Sequence, residues 1–226
     1  MSFKAKIAAG AATFALAGGG LGLAGTLSAS AATPSCGGNC VNPYTQKFGP
    51  HYFMDVYQAR AAAGQEVILF QRSNSDPAED FTYRNVGTVD SFYGNGLVSA
   101  GFDHTYSMLQ AYEIEYSPYG VNSGFCVGTW PGVPAQAGYK IRLEQCGQTS
   151  STVWAVDYPP YPNPSKYVSL INGSETNFSD PLVLNYPAGH PTDMPRPWLN
   201  VQPLHTYSDG TVFDNQLWSA KFGVLK

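Results

Sequence analysis

The sequence of 226 residues has few charged side chains, which make up 12% of it. Its 12 lysines and arginines face 16 aspartates and glutamates, and no basic cluster is present that could displace the counterions of a nucleic acid. Long helical patterns are missing as well. Beyond the N-terminal region, no apolar run is long enough to span a membrane. These shortages exclude nucleic acids and anionic membranes as expected partners and argue against a helical fold.

The N-terminus has the pattern of a secretory signal peptide. Lys4 and Lys6 precede an apolar stretch at residues 7–27, and Ala29-Ser30-Ala31 supplies small residues for cleavage. The alternative is a membrane-spanning helix, since the apolar stretch is about 20 residues long. Five glycines between positions 18 and 25 argue against that alternative. We therefore predict a signal peptide at residues 1–31, cleavage near Ala31 and an extracellular protein.

Aromatic residues (14%), 24 glycines and 17 prolines are plentiful, as in a turn-rich β protein. Three stretches repeat one pattern, in which a short apolar run is followed 16 or 17 residues later by a second run and then by an aromatic residue. The first stretch consists of Phe53-Met54-Asp55-Val56, then Val67-Ile68-Leu69-Phe70 and then Phe81. The second consists of Cys126-Val127-Gly128, then Ile141-Arg142-Leu143 and then Trp154. The third consists of Tyr167-Val168-Ser169, then Leu182-Val183-Leu184 and then Trp198. Such a period predicts a fold assembled from one repeated unit.

Two further segments depart from this period. Residues 32–50 are predicted to form an irregular N-terminal arm, and residues 51–226 the repeated domain. Residues 91–108 are predicted to be an inserted hairpin or long loop between repeats one and two. They contain Tyr93-Gly94-Asn95-Gly96, in which the asparagine-glycine step favours a tight turn.

Four cysteines in an exported chain predict two disulfides, for which three pairings are formally possible. Cys36–Cys40 and Cys126–Cys146 are favoured, because the second pair falls within one repeat and the first encloses a glycine-rich loop. A zinc site is the competing interpretation, but the spacings lack paired C-x₂-C knuckles. No cofactor is predicted, and the four histidines share no metal-ligand spacing.

The second repeat, from Phe125-Cys126-Val127 through residues 141–147 to Val153-Trp154, resembles a repeat of the ricin-type β-trefoil lectins. The whole chain also resembles a group of secreted actinobacterial proteins. The lectin resemblance implies an all-β, β-trefoil fold, in which three hairpins cap a six-stranded barrel. It also implies a disulfide within the repeat, as at Cys126 and Cys146.

In the first repeat, the resemblance places Asp55 at the family's sugar-binding aspartate and Phe70 at its aromatic platform. It places Ala78-Glu79-Asp80-Phe81 at the Asn-Gln-x-Trp motif. The second repeat has Gly128 and Glu144 at the aspartate and aromatic positions, and the third has Ser169 and Asn185. A sugar site needs an apolar ring face and a fixed polar acceptor. The resemblance therefore implies a carbohydrate site formed by Asp55, Phe70 and Glu79. On the structural alternative, Asp55 caps a turn, Phe70 is core and Glu79 is a solvated loop residue.

The leading functional hypothesis is a secreted, non-enzymatic binding module for an extracellular glycan. The alternative is a protein-binding module, such as an inhibitor of an extracellular hydrolase, that uses residues 91–108 or 190–197. A less favoured hypothesis is a glycoside hydrolase that uses Glu113 and Glu115. These residues alternate on one strand face and would lie about 7 Å apart, although acids in this pattern are usually solvated.

Overall fold

The computed structural model describes residues 40–73, 76–158, 166–187, 189–194 and 197–219, all in the unit Thr33–Lys226. The predicted signal peptide and Cys36 lie outside the described residues. The strands are β1 (Tyr52–Val56), β2 (Val67–Gln71), β3 (Phe81–Thr88), β4 (Gln110–Tyr116), β5 (Phe125–Gly128), β6 (Arg142–Gln145), β7 (Val153–Asp157), β8 (Tyr167–Asn172), β9 (Leu182–Asn185), β10 (Asn200–Pro203) and β11 (Trp218–Ser219). The α-helices are α1 (Val89–Gly94) and α2 (Ala100–Tyr106). Neither helix has the length to cross a bilayer.

Three antiparallel hairpins, β1–β2, β5–β6 and β9–β10, occupy equivalent positions. Their second strands meet in a closed ring of backbone hydrogen bonds. The amide of Val67 donates to the carbonyl of Ile141 (3.1 Å), Ile141 donates to Leu199 (2.9 Å), and Leu199 donates back to Val67 (3.1 Å). Each bond repeats the previous one in the next repeat, so the hairpins are related by a pseudo-threefold axis.

The barrel below the hairpins consists of β3, β4, β7, β8, β11 and the N-terminal segment at residues 41–45. Three of these segments link the aromatic residues Phe81, Trp154 and Trp218. β4 pairs with Phe81 through Tyr116 and with Trp154 through Tyr112. In the same way, β8 pairs with Trp154 through Asn172 and with Trp218 through Val168. The N-terminal segment completes the circle, because Thr45 pairs with Trp218 and Val41 with Phe81. The N-terminal segment therefore closes the barrel, although the sequence predicts only an irregular arm there.

The three aromatics at the centre of the repeats are buried, and two of them are held in the same way. Trp154 Nε1 donates to the carbonyl of Val127 (2.8 Å), and Trp218 Nε1 donates to that of Leu184 (2.9 Å). The prediction that Trp198 is the core aromatic of the third repeat is wrong. Trp198 is only half-buried and bridges to β2 at the hairpin ring.

The boundaries of the third repeat also differ from the prediction, because its core aromatic is Trp218 and not Trp198. Tyr167–Asn172 is a barrel strand equivalent to β4 and not the first strand of a hairpin, because it pairs with β7 on one side and with β11 on the other. The hairpin of the third repeat is β9–β10, and its core aromatic lies on β11. Its motif equivalent to Asn-Gln-x-Trp is Asn215-Gln216-Leu217-Trp218.

The insertion forms two helices rather than the predicted hairpin or loop, and it lies between β3 and β4. Thr88 Oγ1 accepts a hydrogen bond from the amide of Ser91 at the start of α1, and Ser99 Oγ accepts from Phe102 at the start of α2. Phe92 and Phe102 are buried in an apolar cluster with residues of β7, β8 and β9. Side-chain caps and burial stabilise helices that are too short to show a periodic pattern.

The predicted bond between Cys126 and Cys146 is present and joins β5 to the residue after β6, with the Cα atoms 5.0 Å apart. Cys40 is also disulfide-bonded. Its predicted partner, Cys36, lies outside the described residues.

Candidate functional site

A cavity of about 220 Å³ lies beside the first hairpin, between β1, β2 and two short turns. Typical sites for drug-sized ligands measure about 300–1,000 Å³, so this cavity suits a single small ring. Its lining residues come from both strands, the turns at residues 57–59 and 76–78, and the third hairpin. They are Asp55, Tyr57, Gln58, Ala59, Ile68, Phe70, Asp76, Ala78 and Pro197.

Asp55 is the buried acid of this cavity. It lies on β1 opposite Ile68, and only 4% of its surface is exposed. Burial, followed by the nearby charges of Asp76 and Glu79, raises the pKa of Asp55 to about 8. Within the described part of the chain, no group donates a hydrogen bond to its carboxyl group. The carboxyl group lines the cavity, so a ligand there can form hydrogen bonds with it that the protein does not supply.

Phe70 forms an apolar wall of the same cavity. The first three residues of β2 are buried, whereas 51% of the Phe70 surface is exposed. A single exposed apolar side chain does not by itself indicate a binding site, since such side chains are common on protein surfaces. Phe70, however, borders a cavity that is also lined by Asp55. Phe70 is therefore placed to contact the apolar face of a ligand that reaches Asp55.

The turn after β1 forms another wall and has a strained backbone. Gln58 and Ala59 have φ values of 60° and 51°, in the left-handed region that residues with a Cβ atom rarely adopt. The flanking hydrogen bonds hold the turn: the Tyr57 amide donates to the carbonyl of Glu66 (3.0 Å), and Gln65 Nε2 donates to the carbonyl of Tyr57 (2.6 Å). Strain of this kind persists only where the surrounding structure imposes it, and it is concentrated at binding sites.

Glu79, the third residue predicted for the site, does not line the cavity. It is buried, and its Oε1 accepts a hydrogen bond from the amide of Ser73 (2.6 Å). Gln216 makes the same contact in the third repeat, where its Oε1 accepts from the amide of His205 (2.8 Å). Burial, opposed by the Ser73 hydrogen bond, raises the pKa of Glu79 to about 7. Glu79 thus has a structural position and acts on Asp55 through its charge.

In the second repeat, the position equivalent to Asp55 is closed. Gly128 occupies it, and a Cβ atom there would lie 2.7 Å from the carbonyl oxygen of Ser151. The neighbouring space is filled by Arg142, whose guanidinium carbon lies 3.4 Å from the centre of the Trp130 ring. Glu144, at the position of Phe70, lies 3.9 Å from Arg142.

The third repeat closes the same position with amide groups. The predicted alignment of the third repeat is wrong here: Asn185 is the equivalent of Asp55 and not of Phe70, and Ser169 lies on β8. Asn185 donates from Nδ2 to Asn200 Oδ1 (2.7 Å) and accepts at Oδ1 from Asn215 Nδ2 (3.0 Å). Its hydrogen-bonding groups are therefore satisfied within the protein. Among the three repeats, the unpaired polar group at this position belongs to the first.

The expectation that Glu113 and Glu115 share an exposed strand face is wrong, because both are fully buried. Glu113 Oε1 accepts hydrogen bonds from the amide of Gly147 (2.7 Å) and from Thr152 Oγ1 (2.6 Å). Glu115 Oε1 accepts from the amide of Gly124 (2.8 Å). These carboxylates attach loops to the barrel and are inaccessible to a substrate. Elsewhere in the described residues, no group of three or more histidine, cysteine or acidic residues is placed to hold a metal ion.

Sequence reasoning missed the polar lining at Asp76 and the turn at residues 57–59. Asp76 Oδ1 accepts from the amide of Ala78 (2.9 Å), and this cap shapes the turn that borders the cavity. The available signal was the position of Asp76 and Pro77 directly before the Asn-Gln-x-Trp equivalent. No local signal predicts that Gln58 and Ala59 adopt left-handed backbone angles.

No family model matches the sequence, and no curated protein matches it. Among solved structures, the chain is similar to the designed threefold-symmetric protein ThreeFoil, a β-trefoil, with a TM-score of 0.51 at 15% identity. That match covers 80% of this chain and 96% of ThreeFoil. A mosquitocidal holotoxin matches with a TM-score of 0.49 at 12% identity, and the match covers 79% of this chain and 16% of the holotoxin. The chain therefore has the predicted β-trefoil fold.

Proposed function

We propose that this protein is a secreted, non-enzymatic binding module that holds one carbohydrate residue in the cavity of its first repeat. Asp55 accepts hydrogen bonds from sugar hydroxyls, and Phe70 contacts the C–H face of the ring. The observation that carries the proposal is the buried, unpaired carboxyl group of Asp55 at an open cavity.

The chemistry of a sugar complements this arrangement. Near neutral pH the raised pKa keeps Asp55 protonated, so its carboxyl group can accept a hydrogen bond from one sugar hydroxyl and donate one to another. The C–H groups of the sugar can cover the exposed part of Phe70, which removes apolar surface from water. The strained turn at residues 57–59 is already formed, so little conformational entropy needs to be lost on binding.

A glycan array followed by titration calorimetry tests the proposal. We expect the wild-type protein to bind at least one neutral glycan, and Asp55→Ala and Phe70→Ala each to weaken that binding tenfold or more. Asp90→Asn and Tyr93→Ala are matched controls, because these exposed residues lie on α1 and do not line the cavity. Both controls should bind like the wild type, and the bound glycan should stay uncleaved.

Two results would contradict the proposal. Correctly folded wild-type protein that binds no glycan would remove the function itself. Wild-type affinity in both Asp55→Ala and Phe70→Ala would place any glycan site elsewhere on the surface. Thermal melting of each variant shows whether the protein is folded in the assay.

A further inference from the structure

A second, larger cleft of about 720 Å³ lies at the open end of the first hairpin. Its lining contains two cations, two imidazoles and two aromatic rings, and it has no carboxylate. The lining residues are Lys47, Phe48, Pro50, His51, Tyr52, Gln71, Arg72 and His190.

The fold brings these residues together from three parts of the chain. The last register pair of the first hairpin places Tyr52 opposite Gln71. One residue further on, the amide of Arg72 donates to the carbonyl of His51 (2.9 Å), which fixes these two residues side by side. The amide of Lys47 donates to the carbonyl of Asp214 (3.2 Å), which attaches the N-terminal wall of the cleft to the third repeat.

His190 supplies an oriented hydrogen-bond donor. Its ring packs edge-to-face against Phe48 (5.4 Å between centres) and Tyr52 (5.3 Å). The amide of Thr192 donates to His190 Nδ1 (3.4 Å), and Thr192 Oγ1 lies 2.7 Å from the same nitrogen. Because Nδ1 accepts a hydrogen bond, the proton of the neutral ring lies on Nε2. The imidazole therefore has a donor at Nε2 without needing a positive charge.

No carboxylate lines this cleft beside its two cations, although the chain carries a formal charge of −4. Arg84, Lys140 and Arg142 each lie within 4 Å of a carboxylate. Among the described residues, neither Lys47 nor Arg72 forms such an ion pair; each instead lies over an aromatic ring, Phe48 at 5.5 Å and Phe53 at 5.3 Å. Arg72 lowers the pKa of the buried Glu79, but Glu79 does not reach the cleft. A concave surface that holds two cations and no carboxylate is a local site for anions.

We infer that this cleft binds the anionic groups of an acidic polysaccharide; the inference rests on the proposed carbohydrate-binding function and names a substrate class for it. The guanidinium of Arg72 can hold a carboxylate or sulfate through two parallel hydrogen bonds, and Lys47 adds a second cation. The volume exceeds what one free oxyanion fills, and Tyr52 and Phe48 offer ring faces to the attached sugars. Phe70 lines the small cavity and Gln71 and Arg72 line the cleft, so β2 connects the two sites.

Binding to three polymers tests the inference: polygalacturonate, which carries carboxylates; dextran sulfate, which carries sulfates; and unsubstituted dextran. We expect one of the charged polymers to bind at least tenfold more tightly than dextran, with an affinity that falls as salt rises. The double variant Lys47→Gln/Arg72→Gln should lose tenfold or more of this affinity. Lys166→Gln is the matched control, because it removes an exposed cation that lies outside the cleft.

The outcomes separate this inference from the proposed function. Neutral-glycan binding that depends on Asp55, without any preference for charged polymers, would overturn the inference and leave the proposed function intact. Equal losses in Lys47→Gln/Arg72→Gln and Lys166→Gln would show non-specific attraction and would also overturn it. Free sulfate that displaces the bound polymer as effectively as the same polymer in solution, at equal concentration of charge, would also overturn the inference. The cleft would then bind a small anion and not a polysaccharide. Absence of all glycan binding would remove both proposals.

Discussion

The first repeat and the other two share one backbone arrangement, and one informative difference lies at the position occupied by Asp55, Gly128 and Asn185. In the second repeat a backbone carbonyl takes up the space, and in the third Asn200 and Asn215 satisfy the two polar groups of Asn185. In the first repeat the side chain is a buried acid that faces a cavity. The comparison shows that in this trefoil a candidate site exists where a repeat does not complete its own packing and hydrogen bonds.

Much of this difference arises from neighbouring side chains rather than from the backbone. Ile68 in the first repeat corresponds to Arg142 in the second and Asn200 in the third. Arg142 stacks on Trp130, and Asn200 accepts a hydrogen bond from Asn185, so each of these residues makes a contact within its own repeat. Ile68 can do neither, and the cavity beside Asp55 stays open.

The largest expected effect is a loss of stability on removing the buried core aromatic that all three repeats share. Trp218→Ala should destabilise the protein by about 3–5 kcal/mol, because Trp218 is a buried core residue with a hydrogen bond to Leu184. Trp198→Ala is the matched variant and should cost clearly less, since Trp198 is only half-buried. Denaturant unfolding measures both. Equal costs would contradict the equivalence of Trp218 with Trp154.

A smaller effect is expected from the buried acid itself. The pKa of Asp55 is about 8 in the folded protein and near 3.8 when unfolded, so the folded state holds the proton more tightly. The contribution of Asp55 to stability is therefore fully present below pH 3.8 and is lost as the pH rises through 8. Asp55→Asn removes this loss and should be more stable than the wild type by up to about 3 kcal/mol at pH 8, with no such gain at pH 3.5.

Thermal melting across this pH range measures the difference. Asp90→Asn, which changes an exposed acid on α1, is the control and should show no pH-dependent gain. A constant difference between Asp55→Asn and the wild type would contradict a raised pKa at Asp55.

The closed state of the second repeat can be tested by adding one methyl group. Gly128→Ala should destabilise the protein by about 1–3 kcal/mol, since the new Cβ would meet the backbone of Ser151. Gly94→Ala is the control, because nothing lies within 4 Å of its Cβ position. Unchanged unfolding of Gly128→Ala would mean that the second repeat has room for a side chain like that of the first.

The smallest expected change in stability follows from replacing Glu79 with Gln, the residue that stands at the equivalent position, Gln216, in the third repeat. Glu79→Gln keeps the acceptor for Ser73 and removes a carboxyl group whose pKa is raised to about 7. Above pH 7 we expect a gain of about 1 kcal/mol, and below pH 4 none. The pKa of Asp55 should fall as well, since the Glu79 charge raises it. Carbon NMR of the Asp55 carboxyl measures this shift, and an unchanged pKa would contradict the coupling.

The sequence predicted the first two repeats well but not the third. Residues 167–184 imitate the spacing of a repeat, because β8 and β9 are consecutive apolar strands. Asn215-Gln216-Leu217-Trp218 carried the correct signal, with a buried tryptophan that repeats the hydrogen bond of Trp154. Spacing alone cannot distinguish a barrel strand such as β8 from the first strand of a hairpin such as β9, since both are short and apolar.

For the candidate site, the structure brings together two of the three residues that the sequence analysis singled out. Asp55 and Phe70 line one cavity, whereas Glu79 lies behind it in a structural hydrogen bond. Alternation on β4 indicated solvated acids at Glu113 and Glu115, yet loops after β4 and β6 cover both. The loops that cover a strand face come from distant sequence, so a strand pattern cannot report them.

By itself, the sequence determined the β class, the length of the repeated unit and the disulfide within the second repeat, because these depend on neighbours along the chain and on cysteine spacing. Only the tertiary structure decided that residues 41–45 close the barrel, that Trp218 and not Trp198 enters the core, and that Asp55 faces a cavity. Each of these depends on which distant segments pack together. Burial and hydrogen-bond partners are properties of that packing, so they follow from the fold and not from the local pattern.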